Sequence, residues 1–259
     1  MCVLIKIEHN YLTKIYIFFC FINFSTFLIT FAIMFEILIL ILSVVIGSLL
    51  GYLFVGNKKL SQFLLVFSGA YFLATAVLEI FPTVYESHNH NIGLYVLAGL
   101  LFQMLVESLS KGIEHGHVHF HNTQSFPLTI FIGLFLHSFF EGMPVTHQHS
   151  NNLLWAIFIH NIPITMVLYG SISHLNISKL YKFIFLAVFA IAGPLGVVFG
   201  DTILAAYHQQ ALAFVAGIFI HIATVILFES NDTHKFKAQK IITVLLGFSI
   251  AYIAIVLGH

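Results

Sequence analysis

Long apolar stretches separated by short polar segments dominate the chain and indicate its fold. Eight stretches each approach the length of about 20 residues with which a helix crosses a hydrocarbon layer roughly 30 Å thick. None of them alternates apolar and polar residues as a transmembrane β-strand does. The pattern therefore predicts an all-α integral membrane protein, an eight-helix transmembrane bundle, with spans at residues 35–55, 60–84, 92–109, 126–145, 153–172, 180–200, 211–228 and 241–258.

The composition strengthens this prediction. Of the 259 residues, 59% are hydrophobic and 8% are charged. Soluble domains carry about 25% charged residues, so a protein surrounded by water is excluded and the lipid bilayer is the expected environment. The formal net charge is zero, which argues against nucleic acid as a partner because nucleic-acid-binding surfaces are basic.

The lysines predict the orientation of the bundle. Lysine is retained in cytoplasmic loops, and all lysines after the first span lie in the first, third, fifth and seventh loops. We therefore expect those loops in the cytoplasm, both ends of the eight-helix bundle outside it, and a location in the plasma (cell inner) membrane. The lysines concerned are Lys58, Lys59, Lys111, Lys179, Lys182, Lys235, Lys237 and Lys240.

The N-terminal residues 1–33 are open to three interpretations. Residues 16–33 form a further apolar stretch, which is compatible with a signal-like segment or with an extra N-terminal helix. Only three residues separate it from the first span, which is short for a turn at the membrane surface. The third interpretation is an upstream extension before a true start at Met34. In each case residues 34–259 form the membrane domain.

The fourth span contains a candidate metal-binding pair. His137 and Glu141 are four residues apart and therefore share one helix face. Ionisable groups inside a membrane are costly and mark functional sites, and imidazole with carboxylate binds divalent cations such as zinc. A His–Glu hydrogen bond that ties helices together is the alternative. Pro144, three residues after Glu141, predicts a kink.

The fifth span supplies a second half of this candidate site. His160 is followed by Pro163, which releases the carbonyl group of Ile159 from the helical hydrogen bonds. A short loop joins the two spans, so they must be antiparallel neighbours. Counting residues places His137 and His160 about 10 to 12 Å below the same membrane surface, at 1.5 Å per residue. Equal depth on neighbouring helices predicts a shared metal site.

Further histidines lie outside the spans. The third loop, residues 110–125, has histidine at every second position, where an extended backbone would place the rings on one side for loose, exchangeable metal binding. The fourth loop contributes a pair that could capture a cation outside the membrane. The predicted auxiliary ligands are His115, His117, His119, His121, His147 and His149.

Two other intramembrane groups receive simpler interpretations. Glu107 precedes Lys111 by four residues, a spacing that predicts an ion pair on one helix face. His221 in the seventh span has no partner close in sequence, and it is interpreted as a satisfied core histidine.

These motifs resemble the ZIP (Zrt-, Irt-like protein) family of metal transporters over residues 35–259. The family pattern His-Asn-x-x-Glu-Gly is similar to residues 137–142, and His-x-Ile-Pro-Glu is similar to residues 160–164. The resemblance implies a 3+2+3 architecture, in which spans one to three and six to eight are inverted repeats around spans four and five. It also implies that 34–259 is a transporter domain that imports zinc or a related divalent cation.

The chain departs from the family pattern at three positions. Ser138 replaces an asparagine, Ile164 replaces a glutamate that would bridge two metals, and Gly193 stands where a carboxylate often precedes proline in span six. These departures favour a single metal bound by His137, Glu141 and His160. Asn161, Ser138 or water would then provide a fourth ligand.

The predicted function is import of Zn²⁺, with Fe²⁺ and Mn²⁺ as alternatives, into the cytoplasm. The transported ion is the substrate, and no cofactor is required. The chain is predicted not to be an enzyme, although an intramembrane zinc-dependent hydrolase is one alternative reading of the ligands. A metal exporter is another, because the same ligands serve either direction. The sequence is also compatible with assembly of the protein into a homodimer.

Overall fold

The computed structural model describes residues 11–86, 90–110, 128–145, 152–228 and 234–258, with side chains from residue 30 onward except at 110 and 234–237. Every regular element in these ranges is helical. The α-helices are α1 (Tyr11–Leu53), α2 (Lys58–Thr75), α3 (Phe81–Tyr85), α4 (Ile92–Ser110), α5 (Leu128–Gly142), α6 (Asn152–Ser173), α7 (Lys179–Ile203), α8 (His208–Phe228) and α9 (His234–Gly258). A π-helical turn, Ala76–Ile80, joins α2 to α3, and a 3₁₀ turn, Ala205–Tyr207, precedes α8.

The described helices confirm the predicted all-α membrane bundle. Seven helical segments are long and apolar enough to cross a membrane, and α2 with α3 forms one of them, Lys58–Tyr85. The fourth predicted span corresponds to α5, which is shorter, at 15 residues. Its length is about 22 Å at 1.5 Å per residue, less than the hydrocarbon thickness. The fourth predicted span is therefore a helix that is shorter than the hydrocarbon layer, whereas the other spans are longer helices.

The N-terminal stretch and the first span form one helix in the described part of the chain. Helix α1 continues through Met34, Phe35 and Glu36 without a turn. An extra helix that turns back at these three residues is therefore absent from this structure. The division of the chain at residue 34 stays a prediction.

The two prolines beside the predicted ligands act differently. Pro163 lies inside α6, which continues on both sides of it. Helix α5 ends at Gly142, two residues before Pro144, so the predicted kink at Pro144 is wrong. Proline cannot donate to a helical carbonyl group. In a continuous helix, residue 144 would donate to the Phe140 carbonyl group. That carbonyl group instead accepts from the Met143 N–H group at 3.3 Å, and the helix ends at Gly142.

The long helices pack as two groups of four. The first group contains α1, α5, α6 and α7, in which α1 packs on α6 and α5 packs on α7. The second contains α2, α4, α8 and α9, in which α4 packs on α8 and α2 packs on α9. Exchanging α1 with α7, α2 with α8, α4 with α9 and α5 with α6 reproduces these four pairings. These four pairings within the groups agree with the predicted inverted repeats, whereas the contacts between the groups do not follow the same exchange, because α2 packs on α6 far more than α8 packs on α5.

Glycines bring the paired backbones into direct contact. A Cβ atom at Gly99 of α4 would lie 1.8 Å from the carbonyl oxygen of Phe214, and one at Gly217 of α8 would lie 1.9 Å from that of Val96. The same arrangement joins α5 to α7, where a Cβ at Gly196 would lie 2.0 Å from the Phe139 oxygen. Small residues permit such close approach between helices in membranes.

We expect Gly99→Ala and Gly217→Ala to destabilise the bundle, because each new methyl group would overlap a backbone oxygen that cannot rotate away. Overpacking of this kind costs about 1–3 kcal/mol. Gly170→Ala is the control, since no atom lies within 4 Å of its added Cβ. Thermal unfolding in detergent should show a lower Tm for the first two variants. Equal Tm values for all three would contradict the described packing of α4 on α8.

Candidate metal site

Three ligand-type side chains, two from α5 and one from α6, meet inside the bundle. One ligand atom from each of His137, Glu141 and His160 lies within 4.8 Å of the other two. The His137 Nε2 atom is 3.3 Å from the Glu141 Oε1 atom, and the centroids of the two imidazole rings are 6.0 Å apart. The structure therefore brings together the three residues predicted from equal depth. The two helices are not direct packing neighbours as expected, because α5 packs mainly on α7 and α6 mainly on α1.

All three side chains are withdrawn from solvent. His137, Glu141 and His160 each have an exposed fraction of 0%. A buried carboxylate is expensive unless a positive charge or hydrogen bonds compensate it. A divalent cation bound by one carboxylate and two imidazoles would supply that charge, and this ligand set is one that zinc accepts.

The His137–Glu141 pair spans one turn of a single helix. A hydrogen bond between them would therefore stabilise α5 itself and would not by itself tie α5 to another helix. The third member, His160, comes from α6, and its ring faces that of His137. A cation bound by all three side chains would link the two helices, which the pair alone does not do.

Two polar side chains that the sequence interpretation missed contact the imidazoles from other helices. The Nδ1 atom of His160 lies 3.2 Å from the hydroxyl oxygen of Ser68 in α2, and that of His137 lies 3.4 Å from Oε1 of Gln103 in α4. Ser68 and Gln103 are 1% and 0% exposed. Their only sequence signal is a polar residue within an apolar span.

An aromatic side chain encloses the site on the side of α2. The ring of Phe72 packs against His160, with centroids 4.4 Å apart, and stacks on Phe219 of α8 at 4.1 Å. Phe72 is 0% exposed. The ring excludes water from this side of His160, which strengthens electrostatic interactions at the site.

The two candidates for a fourth ligand are both buried. Ser138 is 2% exposed, and its hydroxyl oxygen faces α7, 3.3 Å from the position that a Cβ at Gly193 would take. Asn161 is 1% exposed, and no hydrogen-bond partner for its Oδ1 atom lies in the described part of the chain. The roles of Ser138 and Asn161 as ligands stay predictions.

The predicted auxiliary histidines cannot be placed. All six of them fall outside the described residues, in the segments 111–127 and 146–151. Metal capture by His115, His117, His119, His121, His147 and His149 therefore stays a prediction.

Glu107 has a partner that local spacing does not reveal. Its Oε2 atom lies 2.5 Å from Nε2 of His221, so the pair joins α4 to α8. The predicted partner Lys111 falls outside the described residues. His221 is a satisfied histidine, as predicted, although its side chain is 13% exposed and lies at the edge of the core.

Comparison with known proteins gives a family match over more than half of the chain. The sequence profile described as "ZIP Zinc transporter" matches residues 110–254. This range contains all three members of the buried cluster. It also contains the histidine-rich third loop.

Individual relatives give the same indication. The chain is 31% identical over 159 residues to "Zinc transporter ZIP1" of Danio rerio, covering 56% of this chain and 52% of that protein. It is 30% identical over 151 residues to "Zinc transporter ZIP1" of Takifugu rubripes, covering 53% and 50%. "Protein zntD" of Dictyostelium discoideum is 29% identical over 164 residues, covering 54% and 24%. The chain thus spans about half the length of the two fish proteins.

We expect a double-mutant cycle to detect the contact between Glu107 and His221. Glu107→Gln and His221→Gln should each lower the free energy of unfolding, and the double variant should lose less than their sum. Contacting pairs couple by about 0.5–3 kcal/mol. The same cycle with Lys111→Met in place of the histidine variant should show the smaller coupling. A larger coupling to Lys111 would favour the pair predicted from local spacing.

Proposed function

The chain belongs to the ZIP zinc transporter family, and from this premise we propose that it imports divalent cations, above all Zn²⁺, into the cytoplasm. Family membership confirms the predicted family resemblance. It also supports the predicted class, a membrane transporter and not an enzyme, because the matching profile and the two fish relatives are named zinc transporters. The direction of transport, the residues that bind the ion and a location in the plasma membrane belong to the proposal.

The observation that carries the proposal is the buried cluster of His137, Glu141 and His160. Membrane helices rarely bury ionisable groups without a function. Two imidazoles and one carboxylate suit zinc, and they also accept Fe²⁺ and Mn²⁺ with lower affinity in the usual order of divalent metals. Three protein ligands leave one coordination position for Asn161, Ser138, water or a passing ligand. An incomplete ligand set favours release as well as binding.

The surroundings of the cluster support one bound cation. Ile164, one turn after His160 in α6, is 0% exposed and apolar. Gly193 of α7 presents no side chain toward Ser138. A second divalent cation beside the first would need additional negative charge, which neither position provides. We therefore propose a mononuclear site.

The charge distribution of the loops gives the orientation used in the proposal, whereas the import direction is taken from the family resemblance. By the lysine rule, the histidine-rich loop that follows α4 faces the cytoplasm, where its alternating imidazoles would accept a cation released from the cluster. The histidines of the loop between α5 and α6 would then face the outside and receive the incoming cation. This arrangement places weaker, exchangeable ligands on both sides of the buried site.

Uptake of radiolabelled zinc into proteoliposomes tests the proposal. Under an imposed inward zinc gradient, we expect His137→Ala, Glu141→Gln and His160→Ala each to lower the initial rate at least about tenfold. Loss of a ligand should cost at least as much as loss of a residue that only hydrogen-bonds to a ligand. His174→Ala is the matched control, since His174 is an exposed histidine in the turn between α6 and α7 and should transport normally.

The outcomes separate the parts of the proposal. Unchanged uptake by folded cluster variants would refute the site and leave a transporter. No uptake of zinc, iron or manganese by folded wild-type protein would refute the transport function. Cells expressing the protein should become more sensitive to external zinc, whereas increased resistance would favour the exporter alternative.

Labelling of single cysteines in intact cells tests the proposed orientation. With Cys2 and Cys20 replaced by serine, a membrane-impermeant maleimide should label His90→Cys from outside and His174→Cys only after permeabilisation. Both native residues are exposed and lie in turns between helices, so the two positions are comparable in accessibility. The reverse labelling pattern would invert the topology and contradict import along this path.

A further inference from the structure

We infer that Ser68 and Gln103 are positioning residues of the metal site: each holds one imidazole by its Nδ1 atom and so turns the Nε2 atom toward the cation. The inference rests on the proposed function, since it concerns the same three ligands. It adds two residues that lie in other helices and are far from the ligand motifs in sequence.

The hydrogen bonds of Ser68 determine the tautomer of His160. The Ser68 hydroxyl group donates its hydrogen to the Leu65 carbonyl oxygen at 3.0 Å. A hydroxyl group has one hydrogen, so the Ser68 oxygen can only accept from the His160 Nδ1 atom at 3.2 Å. Nδ1 of the neutral imidazole therefore carries the hydrogen, and Nε2 keeps the lone pair that a cation requires.

Gln103 has the same effect on His137. The amide oxygen of Gln103 faces the His137 Nδ1 atom at 3.4 Å, and a carbonyl oxygen can only accept. The hydrogen is thus placed on Nδ1, which leaves the lone pair on Nε2, the atom that lies 3.3 Å from Glu141 Oε1. A cation between these two atoms would be bound by both.

The two contacts share a further feature, because both cross the boundary between the helix groups. His137 and His160 belong to α5 and α6 of the first group, whereas Gln103 and Ser68 belong to α4 and α2 of the second. Phe72, one turn after Ser68, packs on the face of the same His160 ring. The orientation of both imidazoles therefore depends on how the second group is docked against the first.

Metal binding to the full-length protein in detergent tests the inference, with Co²⁺ as the probe. The visible absorption of bound Co²⁺ reports its coordination geometry, and displacement by Zn²⁺ reports affinity. Ser68→Ala and Gln103→Met should weaken binding about 10–100-fold, as the loss of outer-shell partners typically does, and should alter the Co²⁺ spectrum. Gln103→Glu should restore the wild-type spectrum and affinity because a carboxylate also accepts from Nδ1.

Two controls isolate the effect. Ser171→Ala removes a buried hydroxyl group that donates to the Val167 carbonyl oxygen, eleven residues from His160, and should bind as wild type does. The double variant His137→Ala, His160→Ala measures Co²⁺ bound elsewhere, including by the histidine-rich loop, and this signal is subtracted. Thermal unfolding identifies any variant that binds poorly because it has lost its fold.

Each outcome decides between the possibilities. Weak binding by Ser68→Ala and Gln103→Met with recovery in Gln103→Glu supports the inference. If the double histidine variant loses binding while Ser68→Ala and Gln103→Met match Ser171→Ala, the inference is refuted and the proposed site stands. If wild type binds no more Co²⁺ than the double variant, the proposed site is refuted, and the inference with it. If Gln103→Glu binds as poorly as Gln103→Met, the orienting role of Gln103 is refuted.

Discussion

The burial of one carboxylate beside two imidazoles, inside a bundle of apolar helices, is the constraint on which the structure depends. In hydrocarbon such groups are unfavourable unless a cation or donor groups compensate them. Glu141 and His137 are placed together by one helical turn, and His160 completes the cluster from the next helix. Helices α2 and α4 supply polar contacts to this cluster, and Phe72 of α2 packs against one side of it.

The packing of the helices holds this cluster in place through backbone contacts. At Gly99 and Gly217 the backbones of α4 and α8 approach so closely that a methyl group would overlap a carbonyl oxygen. This close approach joins α8 to α4, which carries Gln103, and a Cβ atom at Gly247 of α9 would lie 2.8 Å from the Phe67 oxygen of α2, the helix that carries Ser68. The same kind of contact at Gly196 links α5, which carries two ligands, to α7. The ligands and their hydrogen-bonding partners therefore sit on two tightly packed bodies that meet at the site.

The charge of the cluster agrees with the proposed passage of an ion. One carboxylate neutralises half of the charge of a divalent cation, and the neutral imidazoles contribute lone pairs without further negative charge. With Ile164 and Gly193 at the neighbouring positions, the part of the chain that the structure describes brings no second carboxylate to the proposed site, where it would hold a second metal or bind one very tightly. Conduction through a buried site requires binding that is favourable enough for the ion to enter and weak enough for it to leave.

The order of residues along the chain determines the spans, the ligand set and the equal depth of His137 and His160, because these depend on helical periodicity and on a short connection between neighbouring helices. The sequence around Pro144 does not decide between two local structures, because a proline can either kink a helix or end it. The tertiary structure alone decided which distant side chains these polar groups contact. The contacts Ser68–His160, Gln103–His137 and Glu107–His221 join residues separated by 92, 34 and 114 positions. Periodicity tells which residues share a face, and only the packing of whole helices determines which faces meet.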